Sequence, residues 1–199
     1  MIDENAVPQD RPWNYIVAIT GASGAPYARR LLHCLASPNI QIHVVASNAG
    51  KMVYQMEMET SLEQDLPPGT MLYDEADVAA PLASGSFPIE AMVVVPCSMG
   101  SLAAIAQGCG RNLIHRAADV CLKERRRLIL VPREMPFSRI HLRNMLAVVD
   151  AGGIILPPMP GFYHHPQSVD DLVDFVVARI LSQLGFAQDL VPQWLGAGS

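Results

Sequence analysis

The sequence predicts an α/β fold in one domain, in which an open parallel sheet is covered by helices on both faces. Short apolar runs of strand length alternate along the chain with helical patterns, and this alternation is the main evidence for the fold. Hydrophobic residues make up 50% of the 199 residues, and only 17% are charged. Soluble domains average about 25% charged residues, so this balance excludes intrinsic disorder. At about 150 residues per domain, the length fits a single domain.

The predicted strands are short, rich in β-branched residues and largely free of charge. Runs of this kind are typical of parallel strands that are buried on both faces. Five runs are clear and a sixth is weak. The clear ones cover residues 15–20, 40–46, 91–95, 128–131 and 153–156, and the weak one covers 71–73.

Helical patterns fill the intervals between these strands, at residues 26–36, 49–59, 102–107, 113–126 and 139–150. The order of strand and helix predicts a three-layer α/β/α arrangement with right-handed crossovers. A last helix is the clearest, because its apolar residues from Val169 to Leu184 follow the spacing of an amphipathic helix. Ser168 and Asp171 predict a capping box at its start, and Gly185 predicts its end.

Other segments lie outside this alternation. Residues 60–88 are polar and proline-rich, so we expect an irregular excursion rather than a second domain. We divide the chain into an N-terminal extension (1–13), one domain (14–186) and a C-terminal arm (187–199). The arm carries Trp194 and Leu195, which would be costly to expose to water, and this indicates docking on a neighbouring subunit.

One stretch resembles a membrane span in length alone. Residues 91–110 carry no charged side chain, over about the length of a membrane helix. Pro96, Gly100 and Gln107 interrupt it, so a buried strand, a turn and a helix of small residues explain it better. The first thirteen residues lack the basic-then-apolar order of a signal peptide. We therefore expect a cytoplasmic protein without a membrane span.

Charge and cysteine usage exclude further classes. The formal net charge of −5 argues against a nucleic-acid partner. The four cysteines form no C-x-x-C pair and no Cys/His cluster with zinc spacing, so we expect them to be reduced and buried. The apolar excess then requires either a large core or surface that is buried against other subunits.

Small and hydroxyl-bearing residues follow three of the predicted strands directly. The first loop (20–26) reads TGASGAP, the second (46–48) reads ASN and the third (95–101) reads VPCSMGS. The carboxyl ends of parallel strands lie at one edge of the sheet, where ligands bind and where helix N-termini attract phosphate. Helix capping explains any one of these serines, but three such loops together favour a ligand site. Ser47 stands where a dinucleotide-binding fold has an acidic residue, so a mononucleotide fits better.

The helix predicted after the third loop has one polar face. Asn112, Arg116, Asp119 and Lys123 are spaced so that they share it. A solvated face with salt bridges explains this pattern by itself. The spacing alone therefore assigns the face no function.

The fourth loop (131–138), VPREMPFS, carries a charged pair between two prolines. Arg133 suits a phosphate or a carboxylate. Glu134, in a partly apolar loop, can have a raised pKa and shuttle protons. The position just past a buried strand places both residues at the same sheet edge as the first three loops.

The segment PPMPGFYHHPQS follows the last strand and contains His164 and His165. Adjacent histidines on an irregular loop are poor chelators, and no carboxylate has suitable spacing, so we predict no metal site. The segment more readily forms a rigid apolar wall, with the Tyr163 hydroxyl as a donor.

Longer motifs resemble those of the UbiX-type flavin prenyltransferases, including proteins formerly named 3-octaprenyl-4-hydroxybenzoate carboxy-lyase and phenylacrylic acid decarboxylase. The resemblance covers about residues 15–188. It rests on GASGAPYARRLL, ASGSF, VPCSMGSLAAIAQG, NLIHRAADVCLKERRRLILVPREMPFSRIHLRNML and PPMPGFYHHPQSVDDLVDFVVARIL. It implies a Rossmann-like fold, FMN as the flavin, no metal, and transfer of dimethylallyl from dimethylallyl phosphate to N5 and C6 of reduced FMN. It also implies a homo-oligomer, typically a dodecamer with sites at subunit interfaces, whose prenylated FMN serves UbiD-type decarboxylases in ubiquinone biosynthesis or aromatic acid decarboxylation.

The resemblance also implies roles for individual residues. The implied FMN contacts are Gly21, Ala22, Ser23, Ser47, Ser98, Met99, Gly100, Ser101 and Arg133. The implied dimethylallyl phosphate ligands are Tyr163, Arg179 and Lys123, with Arg116 as a further cation near the phosphate. The implied catalytic residues are Glu134, Lys123, Glu57 and Ser23. Among these, Glu134 handles protons and Glu57 is a second acidic residue.

The chemistry that the resemblance implies agrees with the physical needs of prenyl transfer. An allylic cation needs apolar walls that exclude water, and the leaving phosphate needs cationic groups. Without a metal, Lys123, Arg133, Tyr163 and Arg179 would supply that stabilisation. The leaving phosphate itself could accept the proton lost from C6, with Glu134 assisting.

One departure and two alternatives accompany this resemblance. Some relatives have Trp where this chain has Val78, so an aromatic wall is not supplied from that position. The first alternative is an FMN-dependent decarboxylase of the phosphopantothenoylcysteine type, against which the PREMPFS and PGFYHHPQS motifs argue. The second is a non-catalytic FMN-binding partner subunit of a decarboxylase. The presence of Glu134, Arg133, Tyr163 and Arg179 argues against it.

Overall fold

We derived the fold from a computed structural model, which describes residues 12–192. Within that range the strands are β1 (Trp13–Ile19), β2 (Ile40–Ala46), β3 (Met71–Asp74), β4 (Ala91–Cys97), β5 (Arg127–Pro132) and β6 (Ile154–Ile155). The helices are α1 (Ala25–Leu35), α2 (Asn48–Met58), α3 (Leu62–Asp65), α4 (Met99–Ala106), α5 (Leu113–Lys123), α6 (Arg139–Asp150) and α7 (Val169–Leu184). A short 3-10 helix spans Pro81–Ala83.

The six strands form one parallel sheet in the order β3-β2-β1-β4-β5-β6, which confirms the predicted architecture. The chain starts at the centre with β1, moves outward to β3 and then crosses back to β4 on the other side of β1. Where the strand order reverses in this way, the loops after the two central strands separate and leave a crevice. The crevice of this chain therefore lies at the carboxyl ends of β1 and β4.

Both faces of the sheet are buried, as the apolar runs predict. All seven residues of β4 are buried. Val17 and Ile19 of β1 pack in one core with α1 and α7, whereas Ile16 and Ala18 pack in a second core with α4 and α5. Successive side chains of a strand point to opposite faces, so these two cores are the two interfaces of a three-layer structure.

The largest differences between the predicted and the observed elements are at α4, at the end of α5 and in residues 60–88. α4 begins at Met99 rather than residue 102, because the Ser98 hydroxyl accepts a hydrogen bond from the Ser101 amide and caps the helix. α5 ends at Lys123 rather than residue 126, and Arg125 then turns the chain with a φ of 55°. Residues 60–88 are less irregular than expected, since they contain α3, the 3-10 helix and β3, which pairs with β2 at the sheet edge.

The two ends of the domain were expected at residues 14 and 186. β1 already begins at Trp13. α7 has the predicted capping box between Ser168 and Asp171, and it ends at Gly185, whose φ of 90° is accessible to glycine without steric cost. The arm residues Trp194 and Leu195 lie outside the described residues.

The cysteines confirm the expectation only in part. All four are free. Cys97 and Cys121 are buried, and burial raises the pKa of each thiol to about 12, which makes them unreactive. Cys34 and Cys109 are only partly buried.

The surface contains an apolar helix face but no candidate membrane helix. Within residues 12–192, no helix is long and apolar enough to cross a membrane, and residues 91–110 form β4 and α4. On α6, however, Leu142, Leu146 and Val149 lie on one side of the helix and are each at least 50% exposed. A single chain therefore leaves apolar surface uncovered close to the carboxyl edge of the sheet, where α6 begins.

Candidate active site

The loops after β1, β4 and β5 meet at the crevice and, with α2, line a cavity of about 350 Å³. The lining residues are Gly21, Ala22, Ser23, Val53, Met56, Glu57, Ser98, Met99, Arg133 and Glu134. Eight of these ten are site residues expected from the sequence. Val53 and Met56 are additional; Val53 lies about one helical turn before Glu57, a spacing that could have indicated it, whereas Met56 directly precedes Glu57.

Thr20 joins the first and third loops across the crevice, a role that the sequence did not reveal. Its buried hydroxyl donates to the Pro96 carbonyl at 2.9 Å and accepts from the Ser98 amide at 2.7 Å. Its own amide also donates to the Pro96 carbonyl at 3.2 Å. One side chain therefore links the first loop to the third by two hydrogen bonds. The available signal was a hydroxyl at the end of an otherwise apolar strand.

Glu57 reaches from α2 to the start of α1. One carboxylate oxygen accepts from the Gly24 amide at 2.9 Å and from the Ala25 amide at 2.8 Å. Partial burial raises the pKa of this carboxyl group, but hydrogen bonds from the Ser23 hydroxyl and the two amides, together with the Arg133 charge, outweigh it and lower the pKa. Glu57 is thus held as a carboxylate that accepts hydrogen bonds.

The second loop lies beside the cavity without lining it. The Ser47 hydroxyl accepts from the Gly50 amide at 3.0 Å, and the Ser47 amide donates to the Ile19 carbonyl at 2.9 Å. A Cβ on Gly21 would lie 2.6 Å from the Ala49 Cβ, so a side chain there would push the first two loops apart. Ser47 is therefore adjacent to the predicted FMN contacts of the first loop.

The third loop presents backbone and hydroxyl donors at the start of α4. The Ser98 and Ser101 hydroxyls lie 3.1 Å apart, and the Ser98 hydroxyl accepts from the Ser101 amide at 3.2 Å. Within residues 12–192, the amides of Met99 and Gly100 make no hydrogen bond. This group of donors suits an anionic oxygen such as that of a phosphate.

Arg133 and Glu134 stand at the mouth of the cavity. Both residues are exposed, and the Glu134 carboxylate accepts from the Met135 amide at 3.0 Å. The Arg133 amide donates to the Cys97 carbonyl at 3.2 Å, which attaches the fourth loop to the third. A single chain therefore positions the pair but does not provide the partly apolar surroundings expected for Glu134.

Tyr163 and Arg179 lie elsewhere in the same chain. They line a second cavity of about 420 Å³ beside the edge strand β6, and both are exposed. Phe175 of α7 packs edge-on against Tyr163, at 5.7 Å between ring centroids, and stacks on His164 at 5.2 Å. The segment expected to form a rigid apolar wall therefore presents a cluster of packed aromatic rings.

Lys123 and Arg116 do not line the first cavity either. Lys123 precedes β5 and lies at its amino end, whereas Arg133 follows the carboxyl end, and a strand of this length spans roughly 20 Å. The Lys123 ammonium pairs with Glu124 at 2.6 Å and lies against Gly85. Arg116 pairs with Asp119 at 2.7 Å and donates to the Ala83 carbonyl, as the polar helix face predicts.

Two further expectations concern metal and the Val78 position. Among the residues that the structure describes, no three His, Cys, Asp or Glu side chains are placed to bind a metal ion. Val78 is 57% exposed and does not line the first cavity. An aromatic wall around that cavity is therefore not formed from position 78 within one chain.

Comparison with known proteins agrees with this geometry. Residues 5–181 match the family model described as Flavoprotein. The chain is 50% identical to the flavin prenyltransferase UbiX of Pseudomonas aeruginosa, over 92% of this chain and 94% of that protein. The structure of AnUbiX (PadA1) in complex with FMN and dimethylallyl pyrophosphate has a TM-score of 0.91 and 42% identity, covering 94% of this chain and 100% of that one. A dodecameric FMN-dependent UbiX-like decarboxylase from Escherichia coli O157:H7 has a TM-score of 0.88 and 46% identity, covering 92% and 100%. The chain thus belongs to the flavoprotein family and, within it, to the flavin prenyltransferases of the UbiX type.

Proposed function

We propose that this protein transfers a dimethylallyl group from dimethylallyl phosphate to N5 and C6 of reduced FMN. The observation that carries the proposal is the cavity at the β1/β4 crevice, which gathers eight of the expected site residues in a chain that is 50% identical to a flavin prenyltransferase. Its carboxyl-edge position is where a flat ring and a phosphate are bound in open α/β sheets.

The residues of one chain fit FMN. The amides of Met99 and Gly100 and the hydroxyls of Ser98 and Ser101 form a donor set for its phosphate, with Ser47 beside them. Apolar side chains from Val53, Met56 and Met99 supply surfaces against which a flat ring can pack, and Gly21, Ala22 and Ser23 leave room for it.

Dimethylallyl phosphate needs an environment different from that of FMN, and the three residues expected to bind it would supply that environment. Tyr163, Arg179 and Lys123 provide a phenol and two cations for the leaving phosphate, with Arg116 as a further cation. Because these residues lie at separate places in one chain, we infer that copies of the chain assemble so that they converge on the cavity of Arg133. The exposed apolar face of α6 supports such a homo-oligomer, and a related structure is a dodecamer.

The protein residues then have distinct roles. Reduced FMN supplies the nucleophilic N5 and C6 atoms. Arg133, between flavin and donor, would orient both, and Tyr163, Arg179 and Lys123 would stabilise the negative charge that develops on the phosphate as its bond to the allylic carbon breaks. Glu134 would take up protons at the mouth of the cavity, with the leaving phosphate as the first acceptor. Glu57 would hold Ser23 and the first loop in place through the hydrogen bonds described above.

The decisive experiment is anaerobic incubation of the pure protein with reduced FMN and dimethylallyl phosphate, followed by mass spectrometry of the released flavin. A mass gain of one C5 prenyl unit, absent when the donor is omitted, is the expected result. Bound FMN with no mass gain under any donor concentration would reject the proposal and return the protein to the decarboxylase or carrier alternatives. Repeating the incubation with dimethylallyl pyrophosphate establishes which donor is preferred.

We further propose that the product passes to a UbiD-type decarboxylase in the cytoplasm. Both expectations rest on the family to which the chain belongs. Adding the reaction mixture to a UbiD-type apo-decarboxylase should restore decarboxylation. The same mixture prepared without dimethylallyl phosphate should not.

A further inference from the structure

The loop of residues 83–87, which precedes β4 at the amino end of the sheet, is held by the side chain of Arg126. Arg126 lies between α5 and β5, and its guanidinium donates to the Gly85 carbonyl and to the Phe87 carbonyl, each at 2.7 Å. The side chain is partly buried. A planar guanidinium can bond two carbonyls at once in a fixed geometry, so Arg126 sets the path of the loop.

The two ends of this loop are attached to the rest of the chain by other contacts. At one end, Arg116 donates to the Ala83 carbonyl at 3.0 Å. At the other end, Phe87 packs against the second core, with its ring edge-on to His43 at 5.4 Å between ring centroids. Arg126 therefore holds the middle of a loop whose ends are already fixed.

The Lys123 ammonium lies directly on the backbone of this loop. Lys123 pairs with Glu124 at 2.6 Å, and this hydrogen bond lowers the pKa of the Glu124 carboxyl, so the pair is ionised. A Cβ on Gly85 would lie 2.8 Å from the Lys123 Nζ atom and would also overlap the Glu124 carboxylate. The bare backbone of Gly85 thus forms one side of the place that the Lys123 ammonium occupies.

We propose that Arg126 positions Lys123 for the phosphate of the donor, by holding the Gly85 backbone against which the ammonium lies. Lys123 is a long, flexible side chain that is 45% exposed, so without a fixed surface beside it the ammonium would sample many positions. The inference rests on the proposed function, which makes Lys123 a donor ligand. It adds Arg126 as a positioning residue that acts through Lys123.

The first test measures the affinity for dimethylallyl phosphate by titration calorimetry. The whole protein is used with oxidised FMN bound, because oxidised FMN lacks the nucleophilic N5 of the reduced flavin and the donor stays intact. Lys123→Ala should weaken donor binding about thirtyfold, the loss expected for one charge-assisted hydrogen bond. Arg126→Ala should weaken it about tenfold, and Arg126→Lys nearly as much, because an ammonium cannot bond both carbonyls.

Arg127→Ala is the matched control, because it removes the same charge from the next residue along the chain. Arg127 is exposed, and within residues 12–192 its side chain makes no hydrogen bond to the loop of residues 83–87. Donor affinity should therefore stay within about twofold in this variant, and FMN affinity should stay within about twofold in all of them.

A double variant separates action through Lys123 from a general loosening of the fold. If Arg126 acts through Lys123, adding Arg126→Ala to Lys123→Ala should weaken donor binding by less than about twofold more. A further tenfold loss in the double variant would show that Arg126 acts independently of Lys123 and would overturn the inference. Unchanged donor affinity in a folded Arg126→Ala would overturn it as well.

The chain has two lysines, Lys51 and Lys123, and this provides a measurement that needs no donor. Lys51 pairs with Glu63 at 3.0 Å and serves as the internal reference. The whole protein is acetylated with acetic anhydride, and the two rates are followed by peptide mass spectrometry. Arg126→Ala should raise the rate at Lys123 relative to Lys51 by about fivefold, whereas Arg127→Ala should not change the ratio.

Gly85→Ala is a second variant, which keeps Arg126 and displaces the ion pair directly. It should raise the same acetylation ratio and weaken donor binding, and no change in either quantity would contradict the inference. If Arg126→Ala does not fold, Arg126→Lys takes its place in both measurements.

The acetylation ratio also separates this inference from the proposed function. A protein that prenylates FMN, but whose ratio is unchanged in a folded Arg126→Ala, keeps its proposed function and loses the inference. A protein that never binds the donor or prenylates FMN loses its proposed function. A raised ratio in its Arg126→Ala variant would still show that Arg126 fixes the position of Lys123.

Discussion

The two cavities of the chain differ in how completely one chain builds them. The cavity at the β1/β4 crevice is formed by loops that Thr20, Glu57 and Arg133 join through hydrogen bonds within one chain. The cavity of Tyr163 and Arg179 lies beside an edge strand, and Lys123 lies at the opposite end of β5. Under the proposed function, one chain supplies the geometry for flavin, whereas the geometry for the donor requires an assembly of chains.

The largest effect is expected from Arg179→Ala. Removing a cation that stabilises the leaving phosphate should lower prenyl transfer by about a thousandfold, while the affinity for FMN stays within twofold, because Arg179 does not line the first cavity. Gln183→Ala, in the same cavity, is the control. Rates are followed by flavin mass and FMN affinity by fluorescence titration. An equal loss of FMN affinity would remove the distinction between the two cavities.

The second-largest effect is expected from charged substitutions on the exposed face of α6. Leu142→Asp together with Leu146→Asp places carboxylates where we expect apolar contact between copies, and analytical ultracentrifugation should show smaller species. Prenyl transfer should fall by about a hundredfold because the donor ligands no longer meet, and FMN should still bind. A fully active protein of small size would show that the site is complete in one chain.

A mixed assembly tests the sharing of residues directly. Lys123→Ala and Arg133→Ala should each be nearly inactive alone. If a site takes Arg133 from one chain and Lys123 from another, random mixing during co-expression should restore about a quarter of the wild-type activity. No recovery in assemblies shown to contain both chains would contradict the sharing.

The smallest expected effect concerns the sheet interior rather than either cavity. His43 is buried and contacts Asn14 at 2.9 Å and Tyr73 at 3.0 Å, and burial lowers its pKa to about 4. Unfolded histidine has a pKa of about 6.5, so the native state is stabilised above that pH and loses this stability as the pH falls from about 6.5 to 4. The loss should reach about 2 kcal/mol at pH 5, as measured by urea unfolding.

His43→Gln is the matching control for that prediction, because glutamine does not titrate in this range. Its unfolding free energy should change less between pH 8 and pH 5 than that of the wild-type protein. Equal pH dependence in the two proteins would show that other groups are responsible.

The sheet could be predicted from the sequence because its strands are apolar throughout, and α7 because its capping residues act locally. Even the weak run at 71–73 is a strand, since pairing with β2 at the sheet edge overrides its poor pattern. The start of α4 was predicted three residues too late, because the serines and the glycine of residues 98–101 are as typical of a loop as of a capped helix start. Contacts between segments distant in sequence, such as Glu57 with the start of α1, leave no local pattern.

The separation of the predicted donor ligands within one chain also depends on tertiary structure and leaves no local pattern in the sequence. The polar helix face grouped Lys123 with Asn112 in the sequence. Only the position of β5, which follows Lys123, shows that Lys123 lies at the amino end of the sheet strands. The family motifs identified Tyr163 and Arg179 as residues for one ligand, and they do lie together. The resemblance implies sites at subunit interfaces, but the motifs do not indicate which residues of a site come from the same chain, so the separation of Tyr163 and Arg179 from Arg133 was not predicted.

Because β5 separates Lys123 from Arg133, the stage of subunit assembly determines when the proposed reaction can begin. Under the proposed roles, a newly folded chain would hold flavin but would lack Lys123 and Arg179 at its cavity, and these are two of the cations that promote ionisation of the allylic donor. The allylic cation would then form only after neighbouring subunits have covered the cavity and excluded water from it. Subunit assembly would thus protect the donor against wasteful hydrolysis.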